Sequence, residues 1–147
     1  MIRRSIEMIN RFNSEMYPDP TAYEALTRIE RLERAARYRP LVYICSPFSG
    51  DVIQNSEKAR RYCRFAVDNM AIPIAPQILF PQFMDEATER ELAEFMGLVL
   101  LGRCKQLWVF GEMITDGMKL EINKARKRFI FTRYFTEGCE EIPYRMY

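Results

Sequence analysis

No histidine occurs anywhere in the 147 residues. That removes the commonest general base at neutral pH and excludes Ser-His-Asp and Cys-His nucleophile systems. Acid–base chemistry here must run on carboxylates, tyrosine or lysine. The cysteines Cys45, Cys63, Cys104 and Cys139 are scattered, with no C-x-x-C pair. No zinc-ligand spacing is therefore present, no metal is expected, and the thiols read as those of a reduced, cytoplasmic protein. No apolar run approaches the roughly 20 residues needed to span a bilayer. Met1-Ile2-Arg3-Arg4 is not followed by the apolar segment of a signal peptide. The expectation is a soluble protein without a membrane partner. Walker and G-x-G-x-x-G sequences are both missing, so triphosphate and dinucleotide sites lack their phosphate-cradling loops. A dominant charge is missing too. Net charge is +2, and the 17 arginines among 22 basic residues alternate with acids. This describes a solvated surface rather than a groove for a nucleic-acid polymer.

What is present is enough apolar material, 48% of residues, for one domain with a real core. Residues 1–39 stand apart, with eight arginines, six acids and no strand-like run. Asp19-Pro20 has the form of an N-cap and first helical residue. Behind it Ala22, Ala25, Leu26, Ile29, Leu32 and Ala36 share one helical face. Residues 2–16 suggest a further short helix with Ile6, Ile9 and Phe12 inward. We therefore expect an N-terminal helical arm over 1–39, either packed on the core or used for assembly, and an α/β domain over 40–147.

From Leu41 onward strand and helix patterns alternate. Short apolar runs predict strands near 41–45, 72–75, 105–110 and 129–132. Between them Ala59, Tyr62, Cys63, Ala66, Val67 and Met70 mark one helix face. A capping box, Thr88-x-x-Glu91, predicts a second helix with Leu92, Phe95, Met96, Val99 and Leu100 inward. A third helix is expected over 117–127, and Pro76 to Asp85 is expected to be a long loop. Such alternation implies βαβ units and an α/β three-layer sandwich around a parallel sheet of four to five strands.

In open parallel sheets, ligands bind beyond the carboxyl ends of the strands, near a switch in strand order. Two loops there have unusual composition: Ser46-Pro47-Phe48-Ser49-Gly50-Asp51, and the segment from Gly111 to Met118. If the first and third strands are neighbours, both loops line one crevice. Gly117 suggests a close backbone approach or a positive φ. Glu121, four residues on, is expected in the first turn of a helix, where the dipole would help keep it ionised. A glutamate placed there is also an ordinary complement to that dipole.

Three segments in order, Val42-Tyr43-Ile44-Cys45-Ser46-Pro47-Phe48, Leu107-Trp108-Val109-Phe110-Gly111 and Thr115-Asp116-Gly117-Met118-Lys119-Leu120-Glu121-Ile122, resemble the nucleoside 2-deoxyribosyltransferase-like superfamily. The resemblance covers roughly residues 41–133 and is nearest to a bacterial and phage branch. It implies a flavodoxin-like fold and cleavage of the N-glycosidic bond of a nucleoside or nucleotide, a small-molecule substrate. By this similarity Glu121 is the nucleophile and Tyr43 its hydrogen-bonding partner, with no cofactor. Thr115, Asp116, Gly117 and Met118 would shape the sugar or phosphate side, and Ser46, Phe48, Gly50 and Asp51 the facing wall. The sequence departs from the pattern in two places. Thr115 stands where base-exchanging transferases have an aspartate, and the aspartate of the preceding helix falls near Gly97. Glu94 or Glu91 could supply that second acid. The site would then be a hydrolase, a transferase, or a non-catalytic module that binds or sequesters a nucleotide. The uncharged segment holding Ile78, Leu79, Phe80, Phe83 and Met84 suggests a homodimer built on residues 76–100, or a lid over the crevice.

Overall fold

The computed structural model describes residues 20–143; the helix expected within 2–16 and the Asp19 cap lie outside the described residues. The chain divides between Tyr38 and Arg39 into two compact units. In the first, Pro20–Ala36 forms helix α1, starting on the proline whose fixed φ suits a first helical turn. The Thr27 hydroxyl donates to the Tyr23 carbonyl at 2.8 Å, and Arg34 pairs with Glu30 one turn back at 2.6 Å.

The second unit runs β1 (Leu41–Cys45), α2 (Val52–Asp68), β2 (Ile72–Ile74), a short α3 (Pro76–Leu79) and a 3-10 turn (Phe80–Gln82). It continues with α4 (Glu86–Leu101), β3 (Gln106–Phe110), α5 (Asp116–Lys127), β4 (Phe131–Phe135) and β5 (Glu141–Ile142). The sheet order is β2-β1-β3-β4-β5. β1 is parallel to β2 and β3, and β3 to β4, while β5 joins β4 antiparallel. This is the flavodoxin-like arrangement, with an antiparallel edge strand that a purely parallel expectation omits.

Residue alternation along the strands divides the interior into two layers, because successive side chains leave a strand on opposite faces. Val42 and Ile44 of β1 join Trp108 and Phe110 of β3 against Tyr62 and Ala66 of α2. Tyr43 and Cys45 join Leu107 and Val109 against Leu101 of α4 and Met118, Ile122 and Ala125 of α5. The α2 layer is aromatic. The rings of Tyr62 and Phe110 stack at 4.2 Å, those of Phe110 and Phe135 at 5.0 Å, and Phe65 meets Phe135 edge-on at 5.3 Å.

Several local expectations are corrected. The segment after β2 is no open loop, since its apolar residues fold into α3 and the 3-10 turn. Thr88 does not open α4. Asp85 does, accepting from the Ala87 amide at 2.9 Å while Glu89 accepts from the Asp85 amide at 3.1 Å. The reciprocal cap thus opens three residues upstream of the expected box, and Glu89 leaves helical geometry at φ −121°. The inward face of α4 also differs. Gly97 and Leu101 are buried, whereas Leu92, Phe95 and Val99 are 49%, 64% and 50% exposed. The helix carries two apolar stripes, and the one bearing glycine takes the sheet because it permits the closer approach.

Strand β4 begins at Phe131 rather than 129. Phe129 instead closes α5 with φ 55°, its amide bonding Arg126 O and the Ile130 amide bonding Ala125 O. That bond pair is the Schellman pattern, usually built on glycine. Met70 closes α2 in the same way, at φ 64°.

Because Phe110 is fully buried between two ring partners, Phe110→Ala is expected to cost roughly 3–5 kcal/mol of unfolding free energy. Chemical denaturation with an unchanged m-value is the measurement.

Candidate active site

Strands β1 and β3 are neighbours in register, Cys45 opposite Val109, so the loops leaving their carboxyl ends open on the same side of the sheet. The β1–α2 loop turns at Gly50, whose φ of +99° is left-handed backbone. Asn55 pins that loop by donating to the carbonyls of Phe48 and Ser49 at 3.2 and 3.0 Å. The β3–α5 loop turns at Gly111 in the same way (φ +91°) and closes on Thr115, whose hydroxyl accepts from the Met118 amide at 3.3 Å. A third wall comes from α3, the 3-10 turn and the start of α4. Together they enclose a cavity of about 500 Å³, a volume in the range of small-molecule sites.

Tyr43 and Glu121 form its floor. The Tyr43 hydroxyl, on a fully buried ring, donates to Glu121 Oε1 at 2.9 Å. Their separation of 78 positions in the chain is closed by the fold: Tyr43 points to the α5 side of β1, and Glu121 lies a turn beyond Gly117 on α5. Gly97 of α4 completes the contact, because a Cβ there would stand 3.2 Å from the Tyr43 hydroxyl. Any side chain at 97 would press on the oxygen that holds Glu121.

The cavity lining brings together Tyr43, Ser46, Phe48, Thr115, Asp116, Gly117, Met118, Glu121 and Glu94 from among the residues singled out in the sequence. Gly50, Asp51 and Glu91 are not in the lining. Asp51 serves as N-cap of α2, accepting from the Gln54 amide at 3.1 Å, and Glu91 is exposed on α4. Gly117 has no positive φ, and a Cβ would meet only Thr115 Oγ1 at 3.9 Å. Nothing in the protein demands glycine there; its bareness leaves space in the cavity. Residues missed by sequence reasoning include Gln77, whose amide donates to Ile44 O at 2.9 Å and Ser46 Oγ at 3.0 Å. Arg90, Asp85, Glu86, Glu89 and Met113 also line the cavity. The loop expectation over 76–85 concealed the wall that contributes several of them.

A protein family described as "Domain of unknown function (DUF7768)" matches residues 40–135. The chain belongs to that family. No curated protein matches it. Among solved structures it is similar to a 2-deoxyribosyltransferase from the psychrotolerant bacterium Bacillus psychrosaccharolyticus, at 17% identity and a TM-score of 0.52, over 70% of this chain and 77% of that one. At that identity the likeness is one of fold.

The electrostatics of the floor set it apart from an ordinary helix surface. Glu121 occupies the second turn of α5, not the first as expected, so the dipole, which acts over the first turn, does little for it. Burial pushes its carboxyl up, hydrogen bonding from Cys45 and Tyr43 pulls it partly back, and the nearby charge of Glu94 adds to the rise, leaving it at about 7 against the ordinary 4.5. Tyr43 is driven far above the usual tyrosine range, by burial first and by the Glu121 charge second, and so remains a hydrogen-bond donor throughout. Burial and Glu121 raise the Cys45 thiol likewise.

A carboxyl whose folded pKa is raised binds a proton more tightly in the folded chain than in the unfolded one. Stability then falls as pH rises between about 4.5 and 7. Glu121→Gln keeps an acceptor for Tyr43 and removes the charge. Relative to the parent it should be more stable by roughly 1–3 kcal/mol above pH about 7, and nearly equal below the ordinary carboxylate range. Thermal melts across that pH window check both halves.

Proposed function

We propose that this protein cleaves the N-glycosidic bond of a nucleoside or nucleotide, as an N-glycosidase or a 2-deoxyribosyltransferase-like enzyme, with Glu121 as nucleophile. The observation that carries the reading is the 2.9 Å Tyr43–Glu121 hydrogen bond on the floor of the cavity. Two further facts support it: the fold is shared with a 2-deoxyribosyltransferase, and no histidine competes for the role.

In this reading an ionised Glu121 oxygen attacks the anomeric carbon while the carbon–nitrogen bond to the base breaks and its electron pair leaves with the base. The departing nitrogen takes its proton from water in the cavity, and Glu94, the second carboxylate considered for this side of the site, lines the path. Water, or the nitrogen of another base, then attacks the same carbon, displacing Glu121 and returning a proton. Tyr43 fixes which carboxylate lone pair faces the sugar and shares the negative charge before attack. Phe48 offers a ring for a base to stack on, and the bare Gly117 leaves room for the sugar. No cofactor is needed, because the glutamate supplies the covalent step.

One observation favours a second reading, a module that binds a nucleotide without cleaving it. Thr115, whose hydroxyl accepts from the Met118 amide, has no carboxyl and so cannot replace an acid as a proton source. Recovery of intact ligand after stoichiometric binding would establish that alternative.

The proposed enzyme is a homodimer. Leu79, Phe83, Leu92, Phe95 and Val99 are exposed on α3, the turn after it and α4. These residues form the apolar part of the 76–100 segment, more than isolated surface residues require. A two-fold pairing through that face would place two cavity walls beside each other.

Base release from deoxynucleosides and their monophosphates should fall by roughly 10³-fold or more in Glu121→Gln; equal release by both proteins would refute the nucleophile. The rate should rise with pH through about 7 as Glu121 ionises. Tyr43→Phe, which removes one of the bonds lowering that pKa, should move the limb upward by roughly half to one pH unit. Light scattering of Phe95→Asp should report monomer where the parent gives dimer; a monomeric parent would refute the assembly.

A further inference from the structure

We infer that the cavity selects a nucleoside with a free 5′-hydroxyl and rejects its 5′-phosphate, and that carboxylates of α4 and α5 make this selection. The inference rests on the glycosidase reading and specifies its substrate.

Phosphate recognition in α/β folds uses backbone amides at helix N-termini or a paired cation. At this site each helix N-terminus already has one amide taken by a cap, and the cation is already paired with carboxylates. The N-terminus of α4 is capped by Asp85, which accepts from the Ala87 amide at 2.9 Å, while Glu89 accepts from the Asp85 amide at 3.1 Å. Glu86 adds a further charge in that first turn. The N-terminus of α5 carries the Thr115 cap and then Asp116, whose side chain stands fully in solvent. The N-terminus of α2, behind the β1 loop, is held by Asp51. Among the described residues Arg90 is the one cation of the lining, and it lies between Glu94 at 3.4 Å and Glu86 at 3.9 Å.

The lining therefore holds six carboxyls, Asp85, Glu86, Glu89, Glu94, Asp116 and Glu121, against one guanidinium. Lys119, outside the lining, offsets part of this by pairing with Asp116 at 3.6 Å. A dianionic phosphate would enter a field of its own sign, in which the guanidinium of the lining is already shared between two carboxylates. A neutral sugar with hydroxyl groups meets the opposite situation, since solvated carboxylates accept hydrogen bonds from hydroxyls. Because Asp85, Glu86, Glu94 and Asp116 are exposed, their part of the rejection is a screened, long-range effect and should weaken with salt.

The experiment compares matched deoxynucleoside and 5′-monophosphate pairs on the full chain. Base release is read for the wild type, and calorimetric binding for Glu121→Gln. The nucleoside of each pair should be preferred by about tenfold or more at low ionic strength. The preference should shrink in high salt and in the double variant Glu86→Gln/Asp116→Asn, whose amides keep the shape and remove two charges. Equal or better handling of the monophosphate overturns the inference, as does a preference that neither salt nor the double variant changes. Release from monophosphates alone, abolished in Glu121→Gln, overturns the inference while sustaining the glycosidase reading. Nucleoside-selective binding with no base release sustains the selection and overturns the cleavage. Absence of both binding and release overturns both.

Discussion

A carboxyl held in an apolar floor by a tyrosine hydroxyl is the arrangement on which the rest of this site depends. Left to themselves, these groups would not share a cavity wall. Burial raises the free energy of the ionised Glu121, and the bond from Tyr43 returns part of it. The bond exists because β1 directs alternate residues to opposite layers. Val42 and Ile44 anchor the aromatic layer against α2, and Tyr43 and Cys45 are left to face α5. A one-residue slip of β1 would exchange the two sets and destroy core and site together. The register that stabilises the sheet is also the register that assembles the chemistry.

The remaining walls show how this fold makes a cavity from short connecting segments. Gln77 ties the short helix after β2 to the carboxyl end of β1 through a carbonyl and a serine hydroxyl. Asn55 does the same for the loop that carries Phe48. Each amide side chain satisfies backbone or hydroxyl groups that would otherwise compete for water or for a ligand. The cavity is thus held by a few polar ties around an apolar floor, an arrangement that fixes its shape without filling it.

The alternation of strand and helix was legible because it depends on period, and period is a property of sequence alone; the pairing of β1 with β3 followed only from the common doubly wound order. Tyr43 and Glu121 were legible for a different reason: the motifs around them resemble those of a known superfamily, and the topology of parallel sheets places both near one edge. The α4 face was not legible. Its residues 92–101 carry apolar side chains on two stripes, and periodicity does not say which stripe meets the sheet. The choice falls to Gly97, whose missing side chain admits the Tyr43 hydroxyl, a contact between residues far apart in sequence. The closing residues Met70 and Phe129 escaped notice because a helix end on a non-glycine residue carries no compositional mark. Likewise Asp85 was hidden by a Thr-x-x-Glu pattern three residues downstream that had the right chemistry in the wrong place.

Helix α4 has two edges with different duties. Its Gly97 edge rests against the tyrosine that positions Glu121, and its opposite edge carries Leu92, Phe95 and Val99 into solvent. A Cβ at 97 would stand 3.2 Å from that hydroxyl, so the inner edge has no room for a longer residue, while the outer edge is under no such limit. One helix thus carries both the glycine that admits the tyrosine oxygen and an apolar stripe open to solvent.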